Sequence, residues 1–285
     1  MFISHLYSKK KSNFFTIIKQ LRELLFALVH NNFFKENGTV WISPYFPSRK
    51  TTLYQISRKL KFNLVTAPMR NTKVGINFND STFQKASNSY PQKVSVINKN
   101  IYDISKKNVD EKHLAIFGYN TIIDPQHHSG HCVVKSNDNA LHDGIITKCP
   151  VQNLEEDKVY QILIDNQEEQ LFIDYRICVM KSDIIITYKK FKTKELRFTN
   201  DTCKAEICEN EIIPEDIRKK IVTFCKIMDA EFCELDVLKD NGTNQWYIID
   251  LNKTPYGPPA SLSKKDKKKA VEILSNGFYK NFLNQ

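Results

Sequence analysis

Apolar residues recur along the chain with two periods. In FFTIIKQLRELLFALVHNNFF, residues 14–34, they fall at 14, 17, 18, 21, 24, 25 and 28, the spacing of one helix face, which predicts a helix packed on a sheet. TVWISP (39–44) reads as a buried strand stopped by proline. TTLYQISRKL (51–60) follows as a helix with Ser48 or Thr51 as its cap, and FNLVTAP (62–68) and KVGINFND (73–80) as two more strands. Strand, helix and strand in that order predict a small Rossmann-like α/β unit over residues 1–102. The polar stretch ASNSYPQKVSVINKN (86–100) reads as a connection.

A second organisation begins near residue 103. DISKKNVDEKHLAIFGY (103–119) predicts a helix ending at Gly118. HCVVKS (131–136), IITKCPV (145–151), VYQILID (159–165), FIDYRICVMK (172–181) and DIIITYKKF (183–191) predict strands, with the polar loop NDNALHDG (137–144) after the first. PEDIRKKIVTFCKIM (214–228) is an amphipathic helix with Pro214 in its first turn and Ile217, Ile221, Phe224 and Cys225 on one face. EFCELDVLKD (231–240) and QWYIIDLN (245–252) predict a hairpin across DNGTN, and KKDKKKAVEILSNGFYKNFL (264–283) a terminal helix. The class is α/β, with a second unit over 103–285 that divides into 103–158 and 159–285.

Composition narrows the function classes. Seven scattered cysteines with no C-x-x-C pair fit free thiols and exclude a disulfide framework or a zinc-finger site. No apolar run reaches the ~18 residues of a membrane span, and the basic start has no following apolar stretch with a cleavage site, so the expectation is a cytoplasmic protein. Charge is uneven: residues 1–100 hold 16 Lys and Arg against 3 Asp and Glu, while the net charge of the whole chain is +10. The first third would attract a polyanion such as nucleic acid, an acidic glycan or an anionic membrane face, although no DNA- or RNA-binding motif is present.

The candidate chemistry sits at the end of the chain. In WYIIDLNKTPYGPP (246–259) strand alternation puts Asp250 and Asn252 on one face and Ile249 and Leu251 on the other. The hairpin brings Asp236 of ELDVL beside Asp250. Asp236, Asp250 and Asn252 then form an oxygen cluster suited to Mg²⁺ or Mn²⁺, which takes one or two carboxylates and completes its shell with phosphate oxygens. Lys135 and Arg176 stand in otherwise apolar strands, where a cation needs a partner, and so are candidates for holding phosphate. Lys189 and Lys190 read, by themselves, as solvent-facing charges.

These elements, in this order, resemble the ATP-grasp superfamily of carboxylate–amine ligases, over residues 103–260. The nearest likeness is to the branch that adds glutamate to a ribosomal protein's C-terminus. HCVVKSNDNALHDG resembles the lysine strand and the flexible loop that covers the ATP phosphates. VYQILIDN resembles the hinge that offers backbone groups to adenine, Asp174-Tyr175-Arg176 the Asp-x-Arg strand, and RFTN the basic residue with its later Asn. Asp236 with Asp250-Leu251-Asn252-Lys253-Thr254-Pro255 resembles the metal-binding ending. The resemblance implies an ATP-grasp domain preceded by a small α/β domain, and an ADP-forming ligase with ATP and Mg²⁺ (or Mn²⁺). It implies Lys135, Arg176 and Arg197 as the groups that stabilise the transferring phosphoryl. Nucleotide contacts would come from Lys106, Lys135, Gln161, Ile162, Leu163, Asp165, Asp174, Lys190 and Asn200, and the metal would sit on Asp236, Asp250 and Asn252. Partners would be a small-molecule or peptide carboxylate and a nucleophilic acceptor, the basic first third suggesting an anionic one. Three departures stand out: Asp250 replaces the usual Glu, the covering loop has one glycine, Gly144, and KTPYGPP extends the ending.

Two other readings remain open on the residues: a phosphotransferase on the same fold, and a non-catalytic nucleotide- or polyanion-binding module. SRKTT (48–52) lacks the glycines of a phosphate loop and is not one. His127, His128 and His131 in DPQHHSGH have no helical ligand spacing and fall in a loop. His142, inside the covering loop, is the better candidate for touching phosphate. Cys132 reads as core, and no Ser or Cys pairs with a His as a hydrolase nucleophile would.

Overall fold

The structure is a computed structural model describing residues 38–85, 90, 93–199 and 201–284, with Leu21 and Leu25. The helix expected over 14–34 (those two leucines apart) and the contact expected of Asn200 lie outside the described residues.

The first unit is a four-stranded parallel sheet in the order β2-β1-β3-β4, formed by β1 (Thr39–Pro44), β2 (Asn63–Val65), β3 (Thr72–Phe78) and β4 (Val96–Ile97). Helix α1 (Thr52–Leu60) crosses between β1 and β2. Thr51 caps it by accepting from the Tyr54 N–H, and Lys61 ends it in the left-handed conformation. Strand β4 falls in the stretch read as a connection. Two residues are too few for periodicity to reveal; pairing with β3 makes them a strand.

Helix α2 (Lys106–Phe117), capped by Ser105 and closed by Gly118, leads into a three-stranded antiparallel sheet ordered β6-β5-β7: β5 (Gly130–Ser136), β6 (Ile145–Cys149), β7 (Lys158–Ile162). The chain then builds the largest sheet, ordered β11-β10-β9-β12-β13, with the short β8 (Gln167–Glu168) on β9. Its strands are β9 (Leu171–Met180), β10 (Asp183–Lys192), β11 (Lys204–Cys208), β12 (Phe232–Lys239) and β13 (Trp246–Asn252). Helix α3 (Glu215–Ile227) precedes β12, with Pro214 as its N-cap. Helix α4 (Lys264–Phe278) closes the fold. Strands β8 and β11 are the others that periodicity did not predict. None of the helices among the described residues is long and apolar enough to cross a membrane.

The large sheet explains where a site can form. On one face Ile173, Tyr175, Ile177 and Val179 of β9 join Leu235, Val237, Ile248 and Leu251 in a core closed by α2 and α3. The opposite face is split. Its Cys178, Met180, Ile186, Tyr188 and Phe232 end packs into the core of the first sheet and α4. The other end carries charges. Asn98, fully buried and in the left-handed conformation, fastens the two sheets: its side chain donates to Phe232 O (2.7 Å) and accepts from Glu231 N (2.9 Å) and Phe232 N (3.0 Å).

Candidate active site

The charged end of the large sheet is built by register. Tyr188, Arg176, Asp236 and Asp250 lie opposite one another on β10, β9, β12 and β13; the next row is Ile186, Cys178, Glu234 and Asn252. Side chains in such rows emerge on one face. The hairpin therefore places Asp236 against Asp250, as the sequence reading expected. A bulge between Asp236 and Val237 breaks the alternation. Ile249, expected on the opposite face, lines the same cavity as Asp250, while Ile248 and Leu251 take the core positions.

Asp236 is the hub. Arg176 donates to it in a two-pronged pair, Nε to Oδ1 and Nη2 to Oδ2, both 3.1 Å, and Lys190 Nζ donates to Oδ1 at 2.9 Å. Burial would raise this carboxyl's pKa, but the two cations outweigh it and hold it well below the usual range. Lys190 is 3% exposed, which corrects the reading of it as a solvent-facing charge. Lys189 does pair at the surface, with Glu168. A parallel arrangement joins Lys192 to Asp174 at 2.7 Å, and Asp174 accepts from Asn166 Nδ2 at 3.2 Å.

Asp250 differs. Its Oδ1 is buried and has no hydrogen-bond partner, and burial pushes its pKa up to about 6 against the pull of Lys106 and Lys135. Lys135, on β5, faces it across the cavity. Burial, then Lys106, lower its pKa to about 8, and its ammonium has no hydrogen-bond or ion-pair partner among the described residues. Lys106, in the first turn of α2, donates to Asp138 O at 2.6 Å.

A roof encloses this wall. Ser136 N donates to Asp143, which also pairs with Lys158 at 2.8 Å, folding loop 137–144 back on β5. Asn139 donates to Leu251 O at 3.0 Å and its N–H to Thr82 Oγ1 at 2.9 Å, so the loop touches both other units. Gly144 lets the roof pass close to Phe198: a Cβ there would stand 3.0 Å from the ring, which would have to give by a few tenths of an ångström. His142 lines the cavity from the same loop, its pKa lowered by burial. At the far end Gln161, Ile162, Leu163 and Ile164 form the hinge wall. Arg197 lies over the Phe172 ring (4.1 Å) and donates to Ile164 O (2.7 Å) and Asn166 Oδ1 (3.1 Å).

Eleven of the candidate residues singled out from sequence thus line one cavity: Lys106, Lys135, His142, Gln161, Ile162, Leu163, Asp174, Lys190, Arg197, Asp236 and Asp250. Arg197 is there, but fastened to the hinge. Arg176 stands behind Asp236. Asn252 Oδ1 is engaged by Thr254 N (3.0 Å) and Oγ1 (3.3 Å). Asp165 is exposed; its N–H donates to Asp240 and its Oδ1 accepts from Gln167, tying the hinge to the hairpin tip. The sequence reading missed Lys192, Asn166, Phe198, Leu238 and the buried Glu234. The i, i+2 spacing of Lys190 and Lys192 and of Glu234 and Asp236 was the available signal. Cys132 is core, as expected, and His127 pairs with Asp124 in an exposed loop.

No protein-family model matches the chain, and no curated protein matches its sequence. Solved structures do match. ATP-grasp ligase PsnB, complexed with a phosphomimetic variant of its minimal precursor, Mg and ADP, superposes at a TM-score of 0.50 with 11% identity, over 86% of this chain and 99% of that one. The chain has the ATP-grasp fold. D-alanine–D-alanine ligase from Bacillus anthracis gives a TM-score of 0.49 at 11% identity, over 86% and 97% of the two chains. PsnB with its minimal precursor alone gives 0.38 at 16% identity, and the match spans 65% of each chain.

The ATP-grasp fold raises the question of a divalent cation on its last two strands. Among the described residues no three His, Cys, Asp or Glu side chains converge as a cage. Asp250 lines a cavity rich in ammonium groups and its buried Oδ1 has no partner, and the Asp236 oxygens, though bonded to cations, keep spare lone pairs. This set fits a cation that takes one or two carboxylates and draws its other ligands from phosphate, and does not fit an all-protein cage.

Proposed function

We propose that this ATP-grasp protein is an ATP- and Mg²⁺-dependent ligase. It would activate a carboxylate as an acyl phosphate, which an amine or similar nucleophile then attacks, with release of ADP. The observation that carries the reading is that Lys135, with no ion pair among the described residues, and Asp250, with an orphaned Oδ1, line one cleft between a hinge wall and a glycine-containing roof.

Each group has a task in this reading. The hinge backbone from Gln161 to Leu163 would receive the base. Lys106 and Lys135 would hold phosphate oxygens; at pH 7 a lysine with a pKa near 8 is still mostly charged. Asp250, with Asp236 beside it, would hold Mg²⁺, whose contribution is to neutralise charge on the β- and γ-phosphates. Lys190 would share its charge between Asp236 and the incoming phosphoryl oxygens, while Arg176, behind Asp236, holds that carboxylate in place. The roof, resting on Leu251 O and Thr82, keeps water from the activated carboxylate.

Titration calorimetry with a non-hydrolysable ATP analogue, with and without Mg²⁺, tests the nucleotide half. Mg²⁺-dependent binding that Asp250→Ala abolishes is expected, followed by ADP release when carboxylates and amines are supplied together. Equal binding by wild type and variant, or none by either, would refute the assignment.

A further inference from the structure

Helices α1 and α4 pack side by side, on the face of the large sheet that also holds the site. Their outward sides carry lysines: Lys50, Lys59 and Lys61 around α1, and Lys264, Lys265, Lys268 and Lys269 on α4, all exposed. Lys50, Lys59 and the four exposed α4 lysines have no ion pair among the described residues, and the acids on α4 are only Asp266 and Glu272. Lys264 and Lys265 stand in the first helical turn, where the helix dipole disfavours cations. Lys264 with Lys268, and Lys265 with Lys269, are like charges four apart, which repel. The ridge weakens its own helix.

The ridge adjoins the loop that follows the site's last strand. Loop 254–261 runs from Asn252 into α4. Pro255 O accepts from Thr52 N (3.0 Å) at the head of α1, Lys267 Nζ donates to Ala260 O (2.6 Å), and Gly257 passes so close that a Cβ would stand 2.5 Å from Lys50 O. Gly257, which touches Lys50 at the start of the ridge, is five residues along the chain from Asn252, at most about 18 Å of extended backbone.

We propose that the α1–α4 lysine ridge is the docking surface for an acidic peptide segment of the substrate. The segment would lie across Lys50, Lys59, Lys61, Lys264, Lys265, Lys268 and Lys269, and the reacting group would reach the cavity past loop 254–261, about five residues or more from the acidic stretch. The occupant is chosen by the surface. Exposed lysines are flexible point charges that suit scattered carboxylates. Neither helix exposes a large apolar side chain to enter a lipid layer, and the exposed rings beside them, Tyr256 in loop 254–261 and Tyr279 at the end of α4, stand singly and not as a row on which successive bases could stack. The substrate role rests on the ligase reading; the docking itself does not.

The test is fluorescence anisotropy of a labelled decaglutamate peptide with the full chain at low and high salt. The ridge variant replaces Lys264, Lys265, Lys268 and Lys269 with Gln. A control variant makes the same change at Lys148, Lys194, Lys219 and Lys226, exposed elsewhere, so the net charge is matched. Salt-sensitive binding is expected, weakened about tenfold or more in the ridge variant and about twofold or less in the control, since specific docking depends on where charges stand. ATP-analogue affinity should stay the same and the ridge variant should melt no lower than wild type. Equal weakening in both variants, or none in either, would overturn the proposal. So would tighter binding of phosphatidylserine vesicles, or of a single-stranded oligonucleotide of matched charge, than of the peptide. Peptide binding without nucleotide binding would keep the ridge and remove the ligase reading; nucleotide binding without peptide binding would do the reverse.

Discussion

Asp236 is the residue whose loss the structure predicts most sharply. It neutralises two cations, Arg176 and Lys190, whose side chains are 17% and 4% exposed, while its own is 23% exposed. Asp236→Asn keeps the shape and removes the charge, leaving both cations without their hydrogen-bonded anion and only the more distant Glu234, Asp250 and Asp174 to offset them. Breaking a buried pair by deleting one partner costs about 3–5 kcal/mol, and residual exposure of Asp236 and Arg176 argues for the low end, about 3. With a urea slope of about 3 kcal/mol/M for a chain this size, the midpoint should fall by about 1 M. Equilibrium urea unfolding followed by tryptophan fluorescence measures it. Adding Lys190→Met should recover part of the loss, because one stranded cation goes with it. The acid limb has a defined sign: a carboxyl held below its usual pKa contributes stability at neutral pH and gives it up on acidification below about pH 4. A midpoint within 0.2 M of wild type (on the order of 0.5 kcal/mol) would refute the claim that Asp236 is the hub of the site.

Lys135 has no partner to strand, so Lys135→Ala should leave the urea midpoint nearly unchanged while lowering turnover on the order of 10²–10³-fold; a normal rate would remove it from the mechanism. His113 is fully buried against Phe117, Tyr119 and Tyr247, and burial, with Lys220 second, lowers its pKa from 6.5 to about 4. The unfolded chain takes up a proton before the folded one does, so stability is full above pH 6.5 and falls by about 3 kcal/mol as pH drops to 4. His113→Phe should flatten that part of the pH–stability curve, which a set of melts would reveal. Gly257 has φ +102° and lies against Lys50 O, so Gly257→Ala should cost at least about 1–3 kcal/mol and loosen the loop that joins Asn252 to α4, seen as faster amide exchange at Thr52.

The sequence was informative wherever a local rule decides structure. Helix α1 begins at the expected Thr51 cap, α2 stops at Gly118, and the DNGTN turn brings Asp236 to Asp250, because caps, left-handed glycines and hairpin turns act within a few residues. It was misleading for Lys190, since a lysine beside a lysine at a strand end looks solvated until β12, two strands away across β9, supplies Asp236.

The order of charged residues along β9, β10, β12 and β13 by itself determined that acids and bases would share an end of one sheet face, given alternation. Only the tertiary structure decided which of them are spent on one another. Asp236 and Asp174 are neutralised by Arg176, Lys190 and Lys192, while among the described residues Asp250 and Lys135 have no ion pair and Asp250 Oδ1 has no hydrogen bond. The physical reason is that an ion pair depends on distances of about 3 Å between strands far apart in sequence. Those distances are fixed by register, by one bulge at Asp236, and by a roof loop held against Leu251 and Thr82.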